Sequence, residues 1–161
     1  SFNPKRQKFI HDDLGWNYRM TSLQASLGLV QLKKLNRFIK KKRKIGEIYN
    51  KSFKDLSSIQ LPLDKTQYSK NIYWVYGIVL KNKKTKANKY IDFLKKKGVE
   101  CRPFFCPMHF QPVFKKMNFF KNQKFPVSEK LFKYGFYIPC GIGITDREIK
   151  YVVKTIKKVF N

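Results

Sequence analysis

The sequence predicts a mixed α/β fold, an α+β sandwich in which helices cover a few short strands and a long helix comes first. Apolar residues recur at helical spacing from Leu23 to Leu56, which indicates one long amphipathic helix. Residues 73–80 read YWVYGIVL, a run that is apolar on both faces and typical of a central strand. Residues 145–148 read TDRE, the capping-box signature of a helix start, and apolar residues at helical spacing follow it.

These elements divide the chain into three parts. Residues 1–21 are polar and contain turn-forming pairs, which predicts an extended arm. Thr21 and Gln24 form another capping box, so the long helix is predicted over residues 22–56. At ~1.5 Å per residue this helix would span about 50 Å, which is long enough to bridge two domains. Residues 57–161 are predicted to form a small α/β domain.

The long helix carries two further features. Leu27, Val30 and Leu35 are expected to form an exposed apolar stripe, because one small domain cannot cover both ends of so long a helix. Self-association of helix against helix is the expected consequence. The basic run KKKRK at 40–44 is interpreted as a solvated face.

Turn and breaker residues set the other elements of the small domain. The polar stretch 81–86 predicts a turn, and the helix carrying Tyr90, Ile91 and Leu94 should end at Gly98. Residues 99–104 are predicted as a second strand and 136–138 as a third. Between them an aromatic loop is expected at 105–123 and a short helix at 126–133.

The formal charge of +26 raises the possibility of nucleic-acid binding. Lysine accounts for 30 of the 36 basic residues, whereas proteins that read base edges favour arginine for its planar fork. Lysine also shares AT-rich codons with the abundant Ile, Asn, Phe and Tyr, so codon bias explains the excess more simply. We therefore expect salt-sensitive adhesion to polyanions but no specific nucleic-acid partner.

The three cysteines, Cys101, Cys106 and Cys140, form no Cys-x-x-Cys pair, and only two histidines could join them as metal ligands. No metal site is expected. No apolar run reaches membrane-spanning length and no signal peptide is recognisable, so no membrane partner is expected. Reduced thiols and a cytoplasmic location are the default expectation.

Asn17 and Arg19 are the first candidate binding residues. They lie two apart in an extended stretch, so their side chains should project to the same side. An amide donor beside a guanidinium suits an anionic oxygen cluster such as a phosphate. The alternative is a helix-entry loop that carries an incidental arginine.

Several blocks resemble one enzyme family in the same order. They are HDDLGWNYRMT at 11–21, GVECRPFF at 98–105, PMHFQP at 107–112, FPVSEK at 125–130 and YIP at 137–139. This chain is similar, from about His11 to its C-terminus, to the DegT/DnrJ/EryC1/StrS family of PLP-dependent sugar aminotransferases. The resemblance is to perosamine-synthase-like members.

The resemblance implies the C-terminal small domain of a fold-type-I aminotransferase. The family's Schiff-base lysine and the aspartate that pairs with the pyridine nitrogen would lie upstream, so this chain should be inactive alone. The complete enzyme would be a PLP-dependent homodimer that converts a 4-keto nucleotide sugar to a 4-amino sugar, with glutamate as the expected amino donor. The alternative is a non-catalytic, truncated module that binds a nucleotide sugar, a partner chain or, less favoured, nucleic acid.

The resemblance also assigns provisional roles to residues. Asn17 would reach across the dimer to the PLP phosphate of the neighbouring subunit, with Arg19 as its helper or as an anchor of the arm. The loop around His109 would line the nucleotide-sugar pocket, unless His109 only caps a turn. His11 is a weaker candidate for substrate binding.

Residues from the second predicted strand complete the candidate substrate site. Arg102, at its end, could meet the sugar diphosphate, or it could be an ordinary surface residue. Phe104 and Phe105 are more often core residues, but whichever faces outward could stack on a nucleobase or sugar.

Overall fold

A four-stranded antiparallel sheet organises the computed structural model, which describes residues 9–82 and 84–160. Its strands are β1 (Ile59–Gln60), β2 (Tyr76–Leu80), β3 (Arg102–Pro103) and β4 (Gly135–Ile138), in the order β1-β2-β4-β3. In the centre, Tyr76 pairs with Ile138, and Tyr137 pairs with Arg102 at the edge. This mixed architecture confirms the predicted fold class.

Six α-helices belong to the described residues, together with a short 3-10 turn at Met108–Phe110. They are α1 (Ser22–Leu32), α2 (Leu35–Phe53), α3 (Ala87–Lys96), α4 (Pro112–Lys116), α5 (Pro126–Tyr134) and α6 (Asp146–Phe160). In the described ranges, no helix combines the length and the apolar character that a membrane crossing requires.

Aromatic contacts join α2 and α6 to one face of the sheet. The Tyr49 ring of α2 lies 4.9 Å from the Tyr76 ring, and the Phe160 ring of α6 lies 6.4 Å from the Phe136 ring. The Tyr49 hydroxyl donates a 2.7 Å hydrogen bond to the Pro139 carbonyl, just after β4. These contacts fix α2 relative to the segments that enter β2 and leave β4.

Phe104 packs on the opposite face of the sheet. An added Cβ would come within 2.7 Å of its ring at Gly77 and within 2.6 Å at Gly135. The two glycines therefore leave the space that Phe104 fills. Phe104 is a packing residue here, half-buried above the two central strands.

The prediction of one continuous helix over residues 22–56 is wrong. It is divided at Lys33 and Lys34, and α2 ends at Phe53. The Lys34 amide bonds the Gln31 carbonyl at 2.9 Å, three residues back, which tightens the backbone locally while both lysines keep right-handed dihedrals. Leu27, Val30 and Leu35 are exposed as predicted, but they do not form a separate stripe, because no residue of α1 is buried and Leu23, Leu29 and Leu32 are exposed as well.

Two strand predictions were too long and one strand was missed. Strand β2 begins at Tyr76, since Tyr73 has a left-handed φ of 51° that ends the extended run. Only Arg102–Pro103 of the predicted strand 99–104 is paired. Strand β1 was missed because it has two residues and only one of them is buried, which leaves no alternating pattern in the sequence. The predicted aromatic loop contains the 3-10 turn and α4.

Local signals were more reliable. Both capping boxes form, at Thr21 with Gln24 and at Thr145 with Glu148. Gly98 follows α3 with a φ of +73°, as a helix-ending glycine does. Residues 1–8 of the predicted arm, and Lys83 in the predicted turn, lie outside the described residues.

Candidate functional site

The buried side chain of Gln111 anchors the arm to the small domain. Its Nε2 donates to the Phe9 carbonyl at 2.8 Å and to the Cys106 carbonyl at 3.3 Å, while its Oε1 accepts the His11 amide at 2.9 Å. The Val113 amide also bonds the His11 carbonyl at 3.3 Å. His11 therefore contributes its backbone to this junction, and its side chain remains exposed.

Beyond the anchor, residues 13–20 are exposed and without regular structure. Neither Asn17 nor Arg19 is held by a hydrogen bond or ion pair to another described residue. Their donors are therefore accessible to an external ligand. Their contact with a phosphate stays a prediction.

His109 is held firmly at the 3-10 turn. Its Nε2 lies 3.2 Å from the Glu129 Oε1 of α5, and its side chain is only 9% exposed. The Phe110 and Phe125 ring centroids lie 4.2 and 4.7 Å from its own. Glu129 also accepts the Phe125 amide at 3.3 Å, so the imidazole joins the turn to the first turn of α5.

His109 and Phe104 line the same cavity, of about 580 Å³, which falls in the range of small-molecule sites. The wall is mostly apolar and aromatic, with Phe105, Phe120 and Phe125 contributing rings. Such a wall would receive the flat or apolar faces of a ligand.

Arg102 is not part of that cavity. It lines a separate hollow of about 330 Å³ with Lys42, Trp74, Glu100 and Tyr137. The Phe105 and Tyr137 rings, with centroids 6.5 Å apart, stand where the two spaces approach each other, because Phe105 lines the larger and Tyr137 the smaller. The structure thus brings Phe104 and His109 together and places Arg102 in the neighbouring hollow.

Lys42 is a feature that the sequence interpretation missed. Its Nζ donates to the Cys140 carbonyl at 2.6 Å and to the Trp74 carbonyl at 3.0 Å, and it lies 3.3 Å from the Cys140 Sγ. The basic run is therefore not simply a solvated face, and Arg43 also bonds the Asn71 carbonyl at 3.2 Å. Lys42 lies three residues before Ile45, which is buried, so both side chains belong to the same face of α2. This spacing was the signal in the sequence that Lys42 faces the domain.

Cys101 and Cys106 are poorly suited to nucleophilic chemistry. Burial raises the pKa of the Cys101 thiol to about 12, and burial also raises the pKa of Cys106. Among residues 9–82 and 84–160, no group of three or more His, Cys, Asp or Glu could hold a metal ion.

Comparison with known proteins identifies the class. Residues 1–157 match the DegT/DnrJ/EryC1/StrS aminotransferase family. The GDP-perosamine synthase of Vibrio cholerae is 31% identical over 157 residues, which cover 96% of this chain and 41% of that protein. The GDP-perosamine synthase of Escherichia coli O157:H7 is 29% identical over 158 residues, which cover 96% of this chain and 40% of that one.

Solved structures agree with this. The sugar aminotransferase Spr1654 of Streptococcus pneumoniae in its PLP form gives a TM-score of 0.76 at 25% identity, covering 87% of this chain and 36% of that chain. The Helicobacter pylori aminotransferase PseC shares the fold, with a TM-score of 0.77 at 21% identity, over 96% of this chain and 42% of its own.

The fold is thus that of the corresponding part of sugar aminotransferases. The chain belongs to the DegT/DnrJ/EryC1/StrS aminotransferase family, which confirms the resemblance seen in the sequence. The family is PLP-dependent, and Spr1654 has been solved in both PLP and PMP forms. The chain spans about two fifths of the length of the curated relatives it matches.

Proposed function

We propose that this chain is the C-terminal portion of a PLP-dependent aminotransferase that converts a 4-keto nucleotide sugar to a 4-amino sugar. The observation that carries the proposal is the family match over residues 1–157, with two GDP-perosamine synthases among the relatives. The accessible pair Asn17 and Arg19 and the aromatic cavity beside His109 support it.

The donor chemistry of the arm fits a cofactor phosphate. An amide and a guanidinium can both donate to phosphate oxygens, and the guanidinium adds a permanent positive charge. Neither side chain has to give up a hydrogen bond within the described structure to do so. When bound, PLP supplies the electron sink that amino-group transfer requires. The role of Asn17 and Arg19 would be to bind and orient its phosphate.

The small domain would hold the substrate. The Glu129 contact fixes the His109 ring in the cavity wall, so a sugar entering the cavity would meet a fixed polar group among aromatic rings. Arg102, in the neighbouring hollow, would attract the diphosphate. None of these residues needs to form a covalent bond, so their proposed work is binding, orientation and exclusion of water.

The other predictions from the resemblance belong to the same proposal. They are glutamate as amino donor, a homodimer in which Asn17 acts in trans, and inactivity of this chain alone. The cytoplasmic location expected from the cysteines is proposed with them. The division into an arm, a bridging helical segment and a small domain is likewise proposed for the complete enzyme.

A fusion protein tests the proposed activity. The part of the V. cholerae GDP-perosamine synthase that precedes the matched region would be joined to this chain, then assayed with PLP, glutamate and a GDP-linked 4-keto sugar. Amino transfer is expected from the fusion, but not from either half alone. A folded fusion that retains PLP yet transfers no amino group would overturn the proposal, and retained binding of the GDP sugar would then favour the non-catalytic module.

A further inference from the structure

The backbone before β2 is held in an unusual conformation. Tyr73 has a φ of 51°, in the left-handed region that bulky residues rarely adopt. Its amide donates to the Asn71 Oδ1 at 2.7 Å, and its hydroxyl donates to the Asp64 Oδ1 at 3.0 Å and accepts from the Asn50 Nδ2 at 2.8 Å. A Cβ at Gly46 would collide with its ring. The surroundings thus over-determine this conformation, as is common at functional sites.

The consequence of this conformation is the position of Trp74. Tyr73 is fully buried, whereas the next residue, Trp74, is 68% exposed. The Lys42 ammonium also donates a 3.0 Å hydrogen bond to the Trp74 carbonyl. A large indole is therefore presented to solvent on a backbone held both at Tyr73 and at its own carbonyl, which costs little further ordering when a ligand binds.

A second exposed ring lies parallel to Trp74. Phe105 is 50% exposed, its plane is only 8° from that of the indole, and the two centroids are 6.4 Å apart. Phe9 supports Phe105 with a centroid distance of 4.6 Å, and Tyr137 lies at 6.5 Å. A flat group between two rings needs roughly 7 Å, twice the ~3.5 Å contact distance of carbon atoms. Because the centroid distance is the upper limit of the spacing between the two near-parallel planes, the rings would have to move apart to admit such a group.

The charges near the two rings favour an anionic ligand with a flat end. Trp74 shares its hollow with Arg102 and with the half-buried Lys42, while Glu100 also lies on its wall. Arg102 pairs with Tyr137 across the strands, so its backbone is fixed. A nucleoside diphosphate has the matching shape, with a base for the rings and a diphosphate for the guanidinium.

We propose that Trp74 and Phe105 form an aromatic clamp for the nucleobase of the nucleotide sugar, with Arg102 facing its diphosphate. This inference rests on the proposed function for its substrate class. It replaces Phe104 with Phe105 as the stacking residue, because Phe104 is turned onto Gly77 and Gly135.

Tryptophan fluorescence offers a direct test. The chain has two tryptophans, so Trp16→Phe leaves Trp74 as the only tryptophan, which can be excited selectively at wavelengths that the nine tyrosines do not absorb. This variant would be titrated with GDP, guanosine and inorganic pyrophosphate in roughly 0.3 M salt, which screens non-specific attraction to the basic surface. Quenching is expected with GDP and guanosine, because both carry the base, and not with pyrophosphate.

Substitutions then assign the rings. Calorimetry with GDP should show a Kd raised about tenfold or more in both Trp74→Leu and Phe105→Leu, the effect of losing one stacked base contact. Phe119→Leu is the matched control, since Phe119 is 53% exposed but lies outside the clamp, and its Kd should be unchanged. Circular dichroism would verify that each variant is folded.

The outcomes separate the clamp from the proposed activity. Equal GDP affinity in all three variants, or no GDP binding to the chain, would overturn the clamp, whereas an active fusion protein would still uphold the transaminase. If the clamp residues bind GDP as expected and the fusion protein is inactive, the clamp stands and the transaminase proposal fails. A Trp74 emission that changes only with protein concentration would mean that a second copy covers the ring, and that too would overturn the clamp.

Discussion

Replacing Lys42 by methionine should loosen the connection between α2 and the two segments it holds. The substitution keeps an unbranched stem but removes the ammonium that bonds the Trp74 and Cys140 carbonyls at 3.0 and 2.6 Å. Hydrogen bonds to charged groups contribute about 1.5–3 kcal/mol each. Because the ammonium is only partly buried, water would restore part of that loss. We expect the free energy of unfolding to fall by about 2–4 kcal/mol.

Urea denaturation measures this effect. With an m-value of about 2 kcal/mol/M, the midpoint should fall by roughly 1–2 M. Lys41→Met is the matched control, because Lys41 is the exposed neighbour on the same helix, and its midpoint should stay within about 0.3 M of the parent. Indistinguishable midpoints for the two variants would refute the structural role assigned to Lys42.

Three further predictions concern the arm, α1 and the cap at the N-terminus of α6. Asn17→Asp in the fusion protein should raise the PLP Kd by more than about tenfold, since a hydrogen bond is replaced by repulsion from the phosphate; absorbance titration measures it. Sedimentation of the chain should show a mass rising with concentration from 19.3 kDa, and Leu27→Lys with Val30→Lys should suppress the rise. Hydrogen bonds from the Thr145 backbone and side chain lower the pKa of Glu148 below its usual 4.5. The cap should therefore stabilise the fold above pH 4.5 and lose this contribution as the pH falls through the lowered pKa. The free energy of unfolding of Glu148→Gln, measured against pH, should lack this contribution.

Each of these predictions has a control and a contrary outcome. Asn82→Asp, at another exposed asparagine, should leave PLP affinity unchanged. If Asn17→Asp also leaves PLP affinity unchanged, Asn17 does not contact the phosphate. Leu63→Lys alters an exposed leucine outside α1, so it should not affect the mass; a monomer at every concentration would contradict the association. Asp55→Asn should keep the acid profile of the parent, and a parent profile in Glu148→Gln would exclude the cap as its source.

The features predicted correctly from the sequence depend on neighbours a few residues apart. A capping box joins Thr145 to Glu148 within one helical turn, and a left-handed glycine such as Gly98 ends a helix through its own backbone. The pairing of strands was harder to predict from the sequence. Strand β1 is two residues long and owes its existence to the register of Ile59 with Leu80, which the sequence of β1 does not encode.

The candidate site shows the same division. Alternation along a strand predicts that one of Phe104 and Phe105 faces inward, but the choice between them depends on the space above Gly77 and Gly135. The role of Lys42 depends on carbonyls 32 and 98 residues away along the chain. Only the folded backbone brings those groups together.

The Gln111 anchor also limits how far the arm can reach. Asn17 follows His11 by six positions, and a fully extended chain spans at most ~3.3–3.6 Å per residue. While Gln111 holds His11, the Asn17 backbone therefore cannot travel more than about 20 Å from that point. Any phosphate that Asn17 touches in a neighbouring subunit must lie within this tether length plus the reach of one side chain. In the proposed homodimer, the buried Gln111 side chain would thus limit how far apart the two subunits can lie.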